Sequence, residues 1–114
     1  MTPVENQTEI EEIEIQIDAA KELVAMADKV LALKNDPVFK EIILEQFCED
    51  FAMNCLRMST SLAVQENVRA QIERDMHAPS SLLRFLDGVL AQGNSARNSI
   101  ETYNYQMEQI QDEG

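Results

Sequence analysis

The side chains best suited to chemistry in this sequence are one histidine, two cysteines and a row of three glutamates. His77 follows Glu73 by four residues, a spacing that places the two side chains together on a helix. A metal site needs further ligands, and the sequence supplies no second histidine, no carboxylate-x-x-His motif and no suitably spaced cysteine. We therefore expect His77 to lie at a helix end or an interface.

The glutamates Glu41, Glu45 and Glu49 would line one edge of a helix, where carboxylate oxygens can bind hard cations. Only Lys40 lies nearby to offset them, and a solvated face is the favoured interpretation. The serines fall in breaks or on polar faces, and a nucleophile needs an activating base beside it. We predict no enzyme activity and no catalytic, cofactor-binding or metal-binding residue.

The two cysteines, Cys48 and Cys55, are seven residues apart on one predicted helix. Helical rise separates them by about 10 Å, which is beyond the reach of a disulfide. Both are expected to be reduced core residues.

Composition indicates a single helical domain of 114 residues. An apolar content of 45% is too high for a disordered chain, and three glycines and three prolines are few for a sheet protein. The sequence has neither an apolar run of about 20 residues nor a signal peptide. We expect an all-α protein that is soluble, does not bind membranes and is not secreted.

The net charge of −12 is concentrated at the two ends of the sequence. Residues 1–20 hold six acids and residues 98–114 hold four, without a base in either segment, and the nine bases are dispersed between them. A chain of this kind lacks the basic patch that binds phosphates. We expect no direct nucleic-acid binding, and any charged partner should be a basic protein surface.

The segment TEIEEIEIQID, residues 8–18, alternates like a strand, but its apolar series continues for three heptads with helical spacing. These seam positions are Ile10, Ile13, Ile17, Ala20, Val24, Ala27 and Leu31. Helix 1 is therefore predicted at about 8–34, capped by Thr8 or Asn6, with residues 1–7 flexible.

Asp36 and Pro37 predict the start of helix 2, at about 37–58, because Pro suits a first helical position and Asp caps it. Phe39, Phe47 and Phe51 lie here, so helix 2 should be the most buried element. A break at Ser59-Thr60-Ser61 would precede a shorter helix 3 at about 62–77.

Pro79 should end helix 3, and helix 4 is predicted at about 80–112. Its seam is Leu82, Leu86, Val89, Gly93, Ala96, Ile100, Tyr103, Met107 and Ile110. Gly93 would allow another helix to approach closely, or Gly93-Asn94 could divide the helix. The expected architecture is a bundle of about four helices over residues 8–114. Its two long seams would pair within the chain or between chains, as in an oligomeric coiled coil.

The acids of helix 1 flank its isoleucines in two rows, which could imitate the phosphates of a nucleic acid. The simpler interpretation is an acidic flank that keeps the helix soluble and selects its partner. Ile15 projects away from the seam and indicates a second protein contact.

The stretches NDPVFKEIILEQFCEDFAMNCLRM and SSLLRFLDGVLAQGNSA resemble small acidic helical proteins encoded in tailed-bacteriophage genomes. The similarity covers roughly residues 35–97 and rests on an apolar and aromatic pattern that includes Phe39, Phe47, Phe85 and Gly93. Pro79 and Cys48 depart from that pattern. The resemblance implies a protein that acts by binding, in the virion, in particle assembly or against a host enzyme, and locates it in the host cytoplasm or the virion.

Two main hypotheses follow. The first is a homo-oligomeric virion or assembly component. The second is an acidic inhibitor that occupies a basic, nucleic-acid-binding surface of a host enzyme. A third hypothesis, DNA binding like that of a small terminase subunit, is disfavoured because the sequence lacks a basic face. The predicted partner-binding residues are Glu9, Glu11, Glu12, Glu14, Ile15, Ile100, Tyr103, Met107 and Ile110.

Overall fold

The computed structural model describes residues 3–113, and these are 94% helical without a strand, which confirms the all-α class. Helix α1 is Pro3–Asn35, helix α2 covers residues 37–59, and helix α3 is Glu66–Glu113. Within α2, the segment Lys40–Phe51 has the wider π-helical hydrogen-bonding pattern, and the turns on either side of it are α-helical. Residues 3–113 thus contain three helices, and the prediction of four is wrong.

The chain forms two compact units. Unit 1 contains α1 up to Val30 and α3 from Val89, whereas unit 2 is Leu31–Gly88. The single domain predicted for residues 8–114 stays a prediction.

Helix α1 begins earlier than predicted. It starts at Pro3, so neither Asn6 nor Thr8 is the cap. The flexibility predicted for residues 1–7 stays a prediction, and residues 1 and 2 lie outside the described part of the chain. A proline at the first position loses no intrahelical hydrogen bond, and Glu5 in the first turn complements the helix dipole. These two features extend the helix upstream of the first isoleucine.

The junction between α1 and α2 is a single residue, Asp36, and its predicted capping role is confirmed. One carboxylate oxygen of Asp36 accepts hydrogen bonds from the backbone N–H groups of Val38 and Phe39, both at 3.0 Å. Pro37 follows at the first helical position, where its missing N–H costs nothing.

Helix α2 is not the most buried element. Of its residues only Cys55 is buried, and Phe39 and Phe47 are half-buried. Phe47 and Phe51 stack on each other with ring centroids 5.5 Å apart, so part of their apolar surface is covered within the helix itself. Other apolar side chains of the helix, Ile42, Met53 and Leu56, are about half exposed.

Predicted helices 3 and 4 are one helix, α3, which continues through both Pro79 and Gly93. The break after Ser59 is confirmed, but α3 begins at Glu66 rather than at about residue 62. Pro79 removes one backbone hydrogen bond, a loss of about 3 kcal/mol in a helix interior, yet its ring is buried. Burial of the ring offsets part of that loss, which explains how the helix tolerates the proline.

In unit 1, α1 and α3 pair within the chain and run antiparallel. Ala27 lies beside Gly93, while Gln16, earlier in α1, lines the same cavity as Tyr103, later in α3. The buried residues of this unit are Ile17, Ala20, Ala27, Val30, Gly93 and Ala96. Val30 is buried where Leu31 was expected, and Leu31 is half exposed.

Candidate interaction surfaces

The closest approach of two helices in unit 1 is at Gly93. A Cβ placed on Gly93 would overlap the Cβ of Ala27, and it would lie 3.5 Å from the backbone oxygen of Leu23. Only a glycine leaves this space, because both Cβ positions are fixed by the backbone and no rotamer change can separate them. The small side chains at 27, 93 and 96 therefore set the spacing of α1 and α3.

An ion pair flanks this contact. A guanidinium N–H of Arg97 donates to the carboxylate of Asp28 at 2.5 Å, and Arg97 also donates to the Asn94 side chain at 3.1 Å. Both charged side chains remain about half exposed. A pair in this position contributes little to stability, but it neutralises the only arginine of the unit.

Unit 1 also contains a cavity of about 430 Å³ along the α1–α3 pair. Small and polar side chains form most of its lining: Gln16, Ala19, Ala20, Leu23, Ala91, Gln92, Ser95, Ala96, Ser99 and Tyr103. Leu23 is the one large aliphatic residue of the lining, and together with four alanines it makes the surface of the cavity mainly apolar.

The predicted acidic face lies on α1 in unit 1. Glu11, Glu12 and Glu14 are exposed, and Glu9 is half-buried. Ile15 is 66% exposed, which agrees with its expected position away from the seam. The carboxylates are open to solvent and surround one uncovered aliphatic side chain.

The other predicted partner-binding residues, Ile100, Tyr103, Met107 and Ile110, lie on α3 and are all half-buried. Tyr103 lines the cavity of unit 1. Much of the surface of these four side chains is thus covered within the chain itself.

Unit 2 contains a groove of about 610 Å³ between α2 and α3. We call it the unit 2 groove; its lining residues are Cys48, Glu49, Ala52, Met53, Leu56, Met76, His77 and Ser80. Five of these are apolar or sulfur-containing side chains, and the polar ones include one acid and the single histidine. Of these residues, Cys48 was expected in a core and His77 at a helix end or an interface.

Cys48 and His77 both line this groove, but the pKa of the Cys48 thiol is not lowered there. Burial raises the pKa of the Cys48 thiol, and the negative charge of Glu49 raises it further. A thiol shifted in this direction is less often a thiolate at neutral pH and is a poor nucleophile. Among the described residues, no group of three His, Cys, Asp or Glu side chains could hold a metal ion.

Exposed large apolar side chains are concentrated in unit 2. Fifteen such residues are found among the described residues, and eleven of them belong to this unit. The eleven are Leu31, Leu33, Val38, Ile42, Phe51, Met53, Leu56, Met58, Leu62, Val68 and Phe85. Unit 2 therefore exposes more large apolar side chains than unit 1 does.

The loop between α2 and α3 is held by Arg69. Its guanidinium donates hydrogen bonds to the backbone oxygens of Ser59, Ser61 and Val64, the last two at 2.8 and 3.2 Å. Glu66 lies 3.7 Å away and balances the charge. Leu62, at the tip of this loop, is 99% exposed, so the loop is ordered while its one large apolar side chain is uncovered.

Charge is divided unequally between the units. Residues 31–88 hold nine acids and six bases, a net charge of −3, whereas the remaining residues hold twelve acids and three bases, a net charge of −9. The more apolar surface therefore lies in the less charged unit.

No helix within residues 3–113 combines the length and apolar character that crossing a bilayer requires. Comparisons of the chain with protein-family models, with curated proteins and with solved structures found no match.

Proposed function

We propose that this chain is a non-enzymatic interaction protein that packs its helices against other copies of itself, as a structural or assembly component of a bacteriophage particle. The exposed apolar side chains carry the proposal. Among the described residues, eleven large apolar side chains of unit 2 are each at least 39% exposed. Large apolar side chains left in water are what a protein partner would cover.

The chemical character of this surface supports the same function. Each Å² of exposed Leu, Ile, Phe or Met surface that a partner covers stabilises the complex by about 25 cal/mol. The proposal of a phage protein rests on the resemblance of residues 35–97. The proposal of oligomeric coiled-coil packing rests on the heptad seams predicted on α1 and α3.

The test is the absolute mass of the purified protein, measured by light scattering on a sizing column at low and high salt. We expect a defined multiple of 12.9 kDa at both salts, because apolar contacts survive the screening of charge. A 12.9 kDa species at every concentration and salt would refute self-association. The variant Ile100→Asp should lower the helix content and melting temperature, since the aspartate would be half-buried in unit 1.

A second candidate function is supported by the exposure of Glu11, Glu12, Glu14 and Ile15. An acidic face with one uncovered aliphatic residue could occupy a basic, nucleic-acid-binding surface of a host enzyme, and its affinity would fall steeply with salt. Replacing Glu9, Glu11, Glu12 and Glu14 with Gln distinguishes the two functions. An inhibitor should lose its target, whereas a self-associating protein should keep or strengthen its assembly.

A further inference from the structure

We infer that the outward face of α1 in unit 1 binds a basic amphipathic helix of another protein, in which Lys and Arg side chains flank an apolar stripe. The inference rests on the second candidate function, the binding of a basic surface, and specifies the form of that surface. We call this part of α1 the α1 outer face; its residues are Glu11, Glu12, Ile15, Asp18, Ala19, Glu22, Ala25 and Met26. All eight are exposed.

Two large apolar side chains lie uncovered on the α1 outer face. Ile15 is 66% exposed and Met26 is 50% exposed. Their separation in the sequence corresponds to about three helical turns, so the two side chains point in nearly the same direction, roughly 16 Å apart along the helix axis. Ala19 lies between them and leaves room for a partner to approach. Ile15 and Met26 thus form a short apolar stripe of the kind that an amphipathic helix covers.

Carboxylates flank this apolar stripe on both sides. By helical geometry, Glu11, Asp18 and Glu22 lie along one side of it. Glu12 lies on the other side, and no Lys or Arg belongs to the face. Within residues 3–113 none of these four carboxylates forms an ion pair. Their charges are therefore available to a cationic partner, in the unit that has a net charge of −9.

Charge and apolar surface together identify the occupant. The carboxylates repel a nucleic acid, and a second copy of the chain brings a net charge of −12 of its own. An extended cationic tail would pair with the carboxylates but would leave Ile15 and Met26 in water. A basic amphipathic helix meets both requirements, because its apolar stripe covers these two side chains while its flanking Lys and Arg side chains reach the carboxylates.

The experiment measures the binding of three synthetic peptides to the full chain by calorimetry. Each peptide has about 16 residues, the length of helix that the α1 outer face can accommodate. The first carries a leucine stripe flanked by lysines, the second has the same composition with the leucines scattered around the helix, and the third has glutamates in place of the lysines. We expect the first to bind about 10- to 100-fold more tightly than the second, because only its stripe covers Ile15 and Met26. The third should not bind.

A matched pair of variants tests the apolar stripe. Ile15→Ser and Tyr105→Ser each remove one large exposed side chain from unit 1, and Tyr105, on α3, is 62% exposed. Ile15→Ser should weaken binding of the first peptide about tenfold, whereas Tyr105→Ser should leave it unchanged.

A second pair of variants tests the charges. Glu11→Gln/Glu22→Gln and Glu101→Gln/Glu108→Gln each remove two exposed carboxylates from unit 1, but only the first pair lies on the α1 outer face. The first double variant should weaken binding of the first peptide and reduce its salt dependence more than the second does.

Equal affinities for the first two peptides, or an Ile15→Ser variant that binds like the parent, would overturn the inference and leave the second candidate function standing, since the acids would then bind any cation. If neither cationic peptide binds, both fail. A change in the mass of the Ile15→Ser protein without peptide, measured by light scattering, would make the α1 outer face a contact between copies and would also overturn the inference.

Discussion

Adding a methyl group at Gly93 should destabilise the protein, although alanine is the better helix former. The substitution Gly93→Ala gains about 1 kcal/mol of helix propensity. Against this, the new Cβ would overlap that of Ala27, and α1 and α3 would have to move apart. Overpacking of this kind costs about 1–3 kcal/mol, and the upper end applies here because neither Cβ can rotate away. The net loss of unfolding free energy should be about 1–2 kcal/mol.

Gly88 provides the matched control on the same helix. A Cβ at Gly88 meets nothing within 4 Å, so Gly88→Ala should show the propensity gain alone, a stabilisation of about 1 kcal/mol. The two substitutions are chemically identical and should therefore have opposite signs.

The substitution Ala27→Gly, on the opposite side of the contact, allows the interaction energy between positions 27 and 93 to be measured. Ala27→Gly loses about 1 kcal/mol of propensity and about 0.8 kcal/mol for the buried methyl group, or roughly 2 kcal/mol in all. In the double variant Ala27→Gly/Gly93→Ala the propensity terms cancel and the overlap is gone, so its stability should lie within about 1 kcal/mol of the parent. The expected coupling between the two sites is thus about 3 kcal/mol.

The assay is urea unfolding followed by circular dichroism at 222 nm, with protein concentration held fixed because self-association would shift apparent stability. If Gly93→Ala stabilises the protein as much as Gly88→Ala does, then α1 and α3 are not in contact at Gly93. Additive effects of the two substitutions at 27 and 93 would lead to the same conclusion.

Three further changes test separate features. Pro79→Ala should raise the unfolding free energy by about 2 kcal/mol, because it restores the N–H donor to the Asp75 carbonyl and gives up only the buried ring; a lower value in urea unfolding would show that the ring packing dominates. Arg69→Met should cost about 1–2 kcal/mol and speed amide exchange in the loop before α3, because three carbonyls lose their donor, and unchanged exchange would contradict this. The raised pKa of the Cys48 thiol favours the protonated folded state. The free energy of unfolding should therefore be full below the thiol's ordinary pKa and should fall as pH rises through the thiol's pKa in the folded protein. Cys48→Ala should lessen that fall in urea titrations between about pH 8 and 10, whereas an equal fall would exclude Cys48 as its source.

Local sequence signals predicted the helical class and the α1–α2 junction well. Asp36 and Pro37 act through their own backbone neighbours, so their effect does not depend on distant packing. The apolar spacing of α1 likewise identified Ile17, Ala20 and Ala27, which are all buried. Gly93 was expected to admit a close helix, and Ala27 is the residue that approaches it.

Predictions from the sequence were wrong where tertiary packing outweighs a local conformational preference. Pro79 is a strong helix breaker, but α3 continues through it, and burial of its ring could not be anticipated from neighbouring residues. Helix α2 is apolar enough for a core, yet no segment within unit 2 covers Ile42, Met53 or Leu56. An apolar pattern indicates which side chains leave water, but it does not distinguish a core from an interface between chains.

The unequal division of charge has a kinetic consequence. Two chains of net charge −12 repel at a distance, so their association should be slow at low ionic strength and should accelerate as salt shortens the Debye length toward about 10 Å. A basic partner drawn to unit 1 would show the opposite trend, because salt would weaken its attraction. The sign of the salt dependence of the association rate therefore distinguishes self-association from binding to a cationic protein.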